Sequence, residues 1–193
     1  MLRVAILDHH PVVRQGLEAG IGEQGGLSVV GTAADRDDLW PLLMGSYAEV
    51  LVLGQPARDH ATELCRLVRM RCPGCRVVLY ATRAVAVAVR LAGAHALVER
   101  TADVAVLREA IWTVVNGGRL LPPLTPAMTR EAAKRLPQED QAILAMLLAG
   151  TAVRDAAAVA GLSARELEGR RAAILAVLGG RRVALDPDAA IAA

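Results

Sequence analysis

The sequence predicts an α/β fold: a doubly wound (βα)5 unit followed by an all-α unit that contains a helix-turn-helix. Three observations carry this prediction. Short runs rich in Val, Ile and Leu alternate with helical patterns over residues 2–118, and such alternation with short connections implies a parallel sheet covered on both faces. Prolines 122, 123 and 126 then interrupt any helix, because each lacks a backbone donor. Beyond them every pattern is helical, and a short helix, a turn at Gly161 and a longer helix follow one another.

The elements follow in order. Residues 2–7 are an apolar strand, and Asp8-His9-His10-Pro11 leads into a helix to about Ile21 with Pro11 at a favoured first helical position. Leu27 to Thr32 is the second strand. Asp35 caps a helix with Leu39, Leu42 and Leu43 on one face. Val50 to Leu53 is a buried third strand, ended by Gly54-Gln55-Pro56. A helix over 61–70, a strand over 77–80, a short helix over 85–91 and a strand over 96–98 come next. Asp103 caps the fifth helix, which closes at Asn116-Gly117-Gly118. The strand order expected is 2-1-3-4-5. It brings the ends of strands one and three together at the topological switch point, where ligands of such sheets bind. A site there is built from Asp8, His9, Gly54, Tyr80 and Arg100.

A chain of 193 residues suits two small domains. The boundaries expected are 1–120, a linker over 121–134, and 135–193. Aromatic residues make up only 2% of the chain and Phe is absent, so the core rests on Ala, Val and Leu. A formal charge of +2 announces no polyanion partner, and nucleic-acid binding has to come from a local patch. The first residues are too short an apolar run for a signal peptide, and no stretch reaches the roughly 20 apolar residues of a membrane span. A cytoplasmic protein without membrane association is expected. Cys72-Pro73-Gly74-Cys75 has CxxC spacing, but it leads into a strand and has only Cys65 nearby, so a Pro-Gly turn is preferred to redox or zinc chemistry.

Several separated segments carry a resemblance. Arg3 to Leu17 contains Asp8-His9-His10-Pro11, Gly93 to Arg100 leads to a basic residue, and Leu107 to Ile111 precedes Gly117-Gly118. In the other half, Leu136 to Gly150 and Ala160-Gly161-Leu162-Ser163 through Leu178-Gly179 keep order and register. Together they resemble the two-domain response regulators of the NarL/LuxR type over nearly the whole chain. The resemblance implies a receiver domain, normally phosphorylated on Asp, and a C-terminal DNA-binding helix-turn-helix.

The departures fall on the chemistry. The family's acidic pair is Asp8-His9, its phosphoacceptor Asp falls on Gly54, its Thr or Ser on Tyr80 and its Lys on Arg100. Phosphoryl transfer needs a nucleophilic carboxylate, and Mg²⁺ needs hard oxygen ligands. Gly54 supplies none, and Asp8 alone is a poor Mg²⁺ site. Asp phosphorylation is therefore not expected at this pocket, and Asp59, five residues beyond Gly54, is not expected to take the acceptor's place. An Asp8–Arg100 bridge would fix the domain in one state, a small-molecule ligand held by Arg100 and Tyr80 is another reading, and a bare scaffold is a third. No cofactor or metal is expected, since His9 and His10, as neighbours, should point apart. Cys, His and carboxylates form no nucleophile–base pattern, so an enzyme is not expected.

The resemblance makes 163–174 the recognition helix, whose early residues meet base edges. Arg165, Glu168, Arg170 and Arg171 are the exposed candidates there, with Arg154, Arg181 and Arg182 in reach of the DNA backbone. Leu167, Ile174 and Leu178 turn inward or towards apolar groove contacts. Glu168 stands where the family has Lys, and a carboxylate repels phosphate. Valine at every second position, Val85, Val87 and Val89, spreads apolar surface around a helix, and exposed apolar surface argues for a partner. A homodimer face is expected there, with a heterodimer with a related regulator as the alternative. The function expected is a DNA-binding transcriptional regulator not switched by Asp phosphorylation. The alternative is a protein-interaction or ligand-sensing module whose helix-turn-helix has lost DNA binding.

Overall fold

The computed structural model describes residues 1–22, 26–56, 60–81 and 86–179. The apolar runs form strands β1 (Leu2–Leu7), β2 (Leu27–Ala33), β3 (Val50–Leu53), β4 (Arg76–Ala81) and β5 (Ala96–Glu99). Between them lie helices α1 (Pro11–Gly22), α2 (Arg36–Ser46), α3 (Ala61–Arg71) and α4 (Ala86–Ala92), and α5 (Val104–Val115) follows β5. The sheet is parallel with order β2-β1-β3-β4-β5, as expected.

Side chains alternate across each strand, and both faces are apolar. Val4, Ile6, Val50, Val52 and Val78 meet Leu17 and Ile21 of α1 and Leu107, Ile111 and Val114 of α5. Leu7, Leu51, Leu53, Val77 and Leu79 meet Leu39, Leu64, Val68 and Leu91 on the other face. Asp35 and Asp103 cap α2 and α5 through their carboxylates, as the sequence indicated.

Past the sheet, Leu120 exchanges backbone hydrogen bonds with Leu97 (2.8 Å) and His95 (3.0 Å), so the linker covers the β5 edge. The segment expected as a linker over 121–134 contains a helix, α6 (Pro126–Ala133). Pro126 sits in its first turn and the Thr125 hydroxyl accepts from the Met128 N–H, so the last proline starts a helix rather than preventing one. Then come α7 (Gln138–Leu148), α8 (Val153–Ala160) and α9 (Ala164–Leu178). Ala152 holds the N-cap position of α8 without a side-chain bond. Gly161 ends α8 in the left-handed conformation (φ 69°), and Ser163 and Glu166 form a reciprocal capping box on α9. Leu167, Ile174 and Leu178 are buried, as expected.

The valine stripe is not an exposed face. Val87 and Val89 are 1% and 0% exposed, and Ala86, Ala88, Leu91 and Ala92 are buried beside them. A helix apolar all round must be covered all round. Here α4 lies under α6, α7 and α9 of its own chain, so the valines serve an intramolecular contact instead of the expected dimer face. Val85 lies outside the described residues, as do Asp59, Arg181, Arg182 and the segment from 186.

Candidate functional site

The loops after β1 and β3 meet at one level because Leu7 pairs with Leu53 and the Gly54 N–H donates to the Leu7 carbonyl at 2.7 Å. Asp8 therefore leaves β1 directly against Gly54. Its side chain is fully buried. One carboxylate oxygen, Oδ2, accepts from the Gln55 N–H (2.9 Å) and the Arg100 guanidinium (2.8 Å). The other, Oδ1, accepts from the His10 N–H (2.9 Å) and the His10 ring Nδ1 (2.9 Å). Burial alone would push the Asp8 carboxyl up. The donors from Gln55, His10 and Arg100 outweigh it and hold the carboxyl below its ordinary value.

Gly54 has ordinary backbone geometry but no room. A Cβ built on it would stand 2.1 Å from Asp8 Oδ2 and 3.0 Å from the Leu7 carbonyl oxygen. The space in which a side chain at 54 would begin is filled by the Asp8 carboxylate. Arg100 closes the other side. Its guanidinium carbon stands 5.5 Å from the Tyr80 ring centroid, and the Tyr80 hydroxyl donates to the Arg100 carbonyl at 3.0 Å. His9 donates through its backbone N–H (2.8 Å) and ring Nδ1 (2.9 Å) to the Gln55 carbonyl. All five residues expected at the switch point are thus brought together.

Three partners were not singled out from the sequence: His10 and Gln55 on the carboxylate, and Arg14, which donates to the Asp8 carbonyl at 2.7 Å. Arg14 could have been found by its place one turn into α1. The Gln55 N–H is a backbone group and carries no sequence signal. One expectation is corrected: the His9 and His10 rings do not point apart but lie 3.6 Å between centroids, tilted by 43°. Each ring turns back to a separate acceptor, Gln55 or Asp8, and this draws the two together.

In the C-terminal half, α8, the Gly161 turn and α9 form the expected helix-turn-helix. Its candidate residues are not equally free. Arg154 and Arg165 are exposed. Glu168, expected in solvent, is 19% exposed and meets Arg66 of α3 at 2.7 Å. Arg66 is buried and also grips Glu63 through both Nε (2.9 Å) and Nη2 (2.7 Å). Arg171 donates to the Leu91 carbonyl at the end of α4 (3.0 Å from Nε) and to Glu168 (3.2 Å). Arg170 turns to Asp140 of α7 at 3.1 Å. Burial of α9 against α3 and α4 therefore corrects the expected exposure of Glu168 and Arg171, whereas the Arg170 side chain stays 41% exposed beside α7. Arg66 was legible in principle, because an arginine between Leu64 and Val68 on a core face requires a buried partner.

Cys72 and Cys75 form a turn closed by the Cys75 N–H on the Cys72 carbonyl at 2.9 Å. Burial pushes the Cys65 and Cys75 thiols up to about 12, which keeps them protonated and unreactive.

No family model matches the chain. It is 29% identical over 167 residues, 84% of this chain and 79% of the relative, to the probable transcriptional regulatory protein SgaR of Hyphomicrobium methylovorum. A crystal structure of a LuxR-family two-component response regulator from Aurantimonas sp. SI85-9A1 is 26% identical, with a TM-score of 0.56 over 68% of this chain and 95% of that one. RcsB of Salmonella enterica serovar Typhimurium, bound to promoter rprA with the phosphomimetic BeF3-, matches 93% of this chain and 92% of its own at 19% identity and a TM-score of 0.57, a likeness of fold. The resemblance to two-domain response regulators of the NarL/LuxR type, expected from the sequence, holds in the architecture.

Proposed function

We propose that this response-regulator-like chain is a DNA-binding transcriptional regulator whose receiver-like half is not switched by Asp phosphorylation. The observation that carries the second part is the position of Asp8. Its carboxylate fills the space beside Gly54, where the resemblance expects a phosphoacceptor, and all its acceptor capacity is taken by Gln55, His10 and Arg100. Neither a free nucleophilic carboxylate nor an open set of oxygen ligands for Mg²⁺ is left. The Asp8–Arg100 bridge considered from the sequence is present at 2.8 Å and supports the fixed-state reading. The ligand-sensing reading is less well supported, because Arg100 and Tyr80 are both engaged within the pocket. Incubation with acetyl phosphate and Mg²⁺ tests this. No acid-labile phosphoryl group should form, and a stoichiometric one would overturn the reading.

DNA binding is supported by the helix-turn-helix and by the similarity to SgaR, whose name describes a regulator of transcription. Arg154 and Arg165 are the available phosphate contacts. Glu168 and Arg171 face α3 and α4, so base reading by α9 requires it to leave that surface. A gel shift against the protein's own promoter region, run over a salt series, is the test. Arg154→Ala with Arg165→Ala should weaken binding across sequences and reduce the salt slope by about one for each phosphate no longer neutralised. The second reading, an interaction module that no longer reads DNA, is favoured by the same engagement of Glu168 and Arg171. Absence of binding at low salt would select it.

A further inference from the structure

We infer that His9 and His10 form a two-imidazole binding site for a borderline divalent d-block cation of the Cu²⁺, Ni²⁺ or Zn²⁺ class. The site rests on the hydrogen bonds that fix each ring. The His9 Nδ1 faces the Gln55 carbonyl at 2.9 Å. A carbonyl only accepts, so this nitrogen carries the proton and the neutral ring keeps its lone pair on Nε2. The His10 Nδ1 faces the Asp8 carboxylate at 2.9 Å. Both Asp8 oxygens already act as acceptors, from the His10 N–H, the Gln55 N–H and Arg100, so His10 likewise donates from Nδ1 and keeps its lone pair on Nε2. A ring nitrogen donated to a carbonyl or carboxylate, with the other left as ligand, is the arrangement metal-binding histidines adopt.

The two rings are also adjacent and reachable. Their centroids stand 3.6 Å apart. One potential ligand atom from each of Asp8, His9 and His10 lies within 4.8 Å of the others. With the ring centroids 3.6 Å apart and the His10 side chain 48% exposed, both Nε2 atoms are within reach of one ion at the Zn–N or Cu–N distance of about 2.1 Å. His9 and His10 supply the protein ligands and water completes the coordination. Asp8, saturated by its four donors, is a positioning residue that holds the His10 ring.

The surroundings decide which cation fits. Arg100 lies on Asp8 Oδ2, Arg14 lies on the Asp8 carbonyl, and the amino end of α1 begins at Pro11. These positive groups disfavour an ion held by charge alone. Mg²⁺ and Ca²⁺, which need several hard oxygen ligands, are excluded, and ions that bond strongly to imidazole are selected, Cu²⁺ above Zn²⁺. Such a site does not depend on whether the chain binds DNA.

The test uses the untagged full chain, freed of metal and titrated with Cu²⁺, Ni²⁺ and Mg²⁺ by calorimetry. The Cu²⁺ form is also read by electron paramagnetic resonance for nitrogen coupling. One equivalent of Cu²⁺ should bind with a two-nitrogen signature, Ni²⁺ more weakly, and Mg²⁺ should give no heat. His9→Gln and His10→Gln should each lower affinity by at least about tenfold and remove one nitrogen from the signature. His60→Gln, at the start of α3, should change nothing. Both histidines of the site lie on the surface, so circular dichroism should report an unchanged fold. Absence of Cu²⁺ binding, or equal binding by the His9→Gln/His10→Gln double variant, would overturn the site.

Discussion

Asp8 and Glu168 each meet an arginine in a crevice of the fold, and the two pairs behave differently. Asp8 and Arg100, 2.8 Å apart with side chains 0% and 15% exposed, lie at one edge of one sheet, and backbone N–H groups share the carboxylate. Glu168 and Arg66 come together at 2.7 Å from 102 residues apart and join the two halves of the chain. The first carboxylate, itself fully buried, cannot move without giving up four donors at once. The second lies at a margin, and Arg66 retains Glu63 if Glu168 departs. The crevice at the carboxyl end of the sheet is thus filled by the chain's own Asp8 side chain, whereas the second helix of the helix-turn-helix is held by a contact at its margin.

Gly54→Ala should break the first pair most severely. The new Cβ would meet Asp8 Oδ2 at 2.1 Å and force the carboxylate off its partners. Disrupting a buried, hydrogen-bonded ion pair costs about 3 kcal/mol or more. Gly54→Asp should cost at least as much, because a second carboxylate arrives beside the first, and it should not restore phosphorylation by acetyl phosphate. Urea unfolding measures the loss. A Gly54→Asp protein as stable as the parent and stoichiometrically phosphorylated would mean that the pocket is adaptable rather than filled.

Arg100→Met ranks next. It keeps the stem of the side chain over Tyr80 but removes one of the four donors to Asp8, which should cost about 3 kcal/mol, at the lower end for a broken buried pair. The variant should also be more acid-sensitive. The folded Asp8 carboxyl lies below its unfolded value, so its contribution is complete above the ordinary carboxylate range near pH 4 and is lost as pH falls through the folded value. Removing Arg100 raises the folded value and moves that loss to higher pH.

His95 supplies a comparable acid response just before β5. It is buried and accepts the Val77 N–H on Nδ1 at 3.0 Å. Burial first, then Arg69, Arg76 and Arg119, lower its pKa from 6.5 to about 4. Between these values the unfolded chain binds a proton that the folded chain does not, so stability falls as pH drops from 6.5 towards 4. The full effect is about 3 kcal/mol at roughly 1.4 kcal/mol per pH unit. His95→Asn keeps an acceptor for Val77 and should flatten this slope in thermal melts taken across the range.

The strand pattern was legible because short apolar runs alternate with helical ones, and a parallel sheet fixes which loops meet; the departures at His9, Gly54, Tyr80 and Arg100 were legible only against the family resemblance. The Asp8–Arg100 pair stood among three readings of the pocket, on the cost of an unpaired buried charge. What the sequence obscured was cover. The alternation of Val87 and Val89 signals a helix that needs apolar neighbours, but not whether they come from a second copy or from the same chain. Glu168 looked anomalous beside DNA for the same reason. Its partner, Arg66, sits in the other half, and no local pattern joins residues so far apart. The paired rings of His9 and His10 depend on a carbonyl at Gln55, which any residue would supply.

Glu168→Gln should have the smallest effect on stability and the most specific effect on function. The pair is largely shielded, yet Arg66 keeps both bonds to Glu63, and Arg171 keeps the Leu91 carbonyl. Arg66 keeps an ionic partner, and Arg171 keeps a hydrogen-bond acceptor at a partly exposed margin, so the cost should be about 1 kcal/mol, near that of a partly exposed ion pair. That cost falls on the closed arrangement alone if α9 opens without global unfolding. A change of 1 kcal/mol raises the open population about fivefold, and amide exchange along α9 should accelerate by that factor while β1 and β3 exchange as before. Promoter binding should strengthen in parallel, helped by the loss of a negative charge near phosphate. Uniform acceleration across the sheet and α9 would mean that the halves open as one unit. The distinction between a fixed pocket and a releasable helix would then fail.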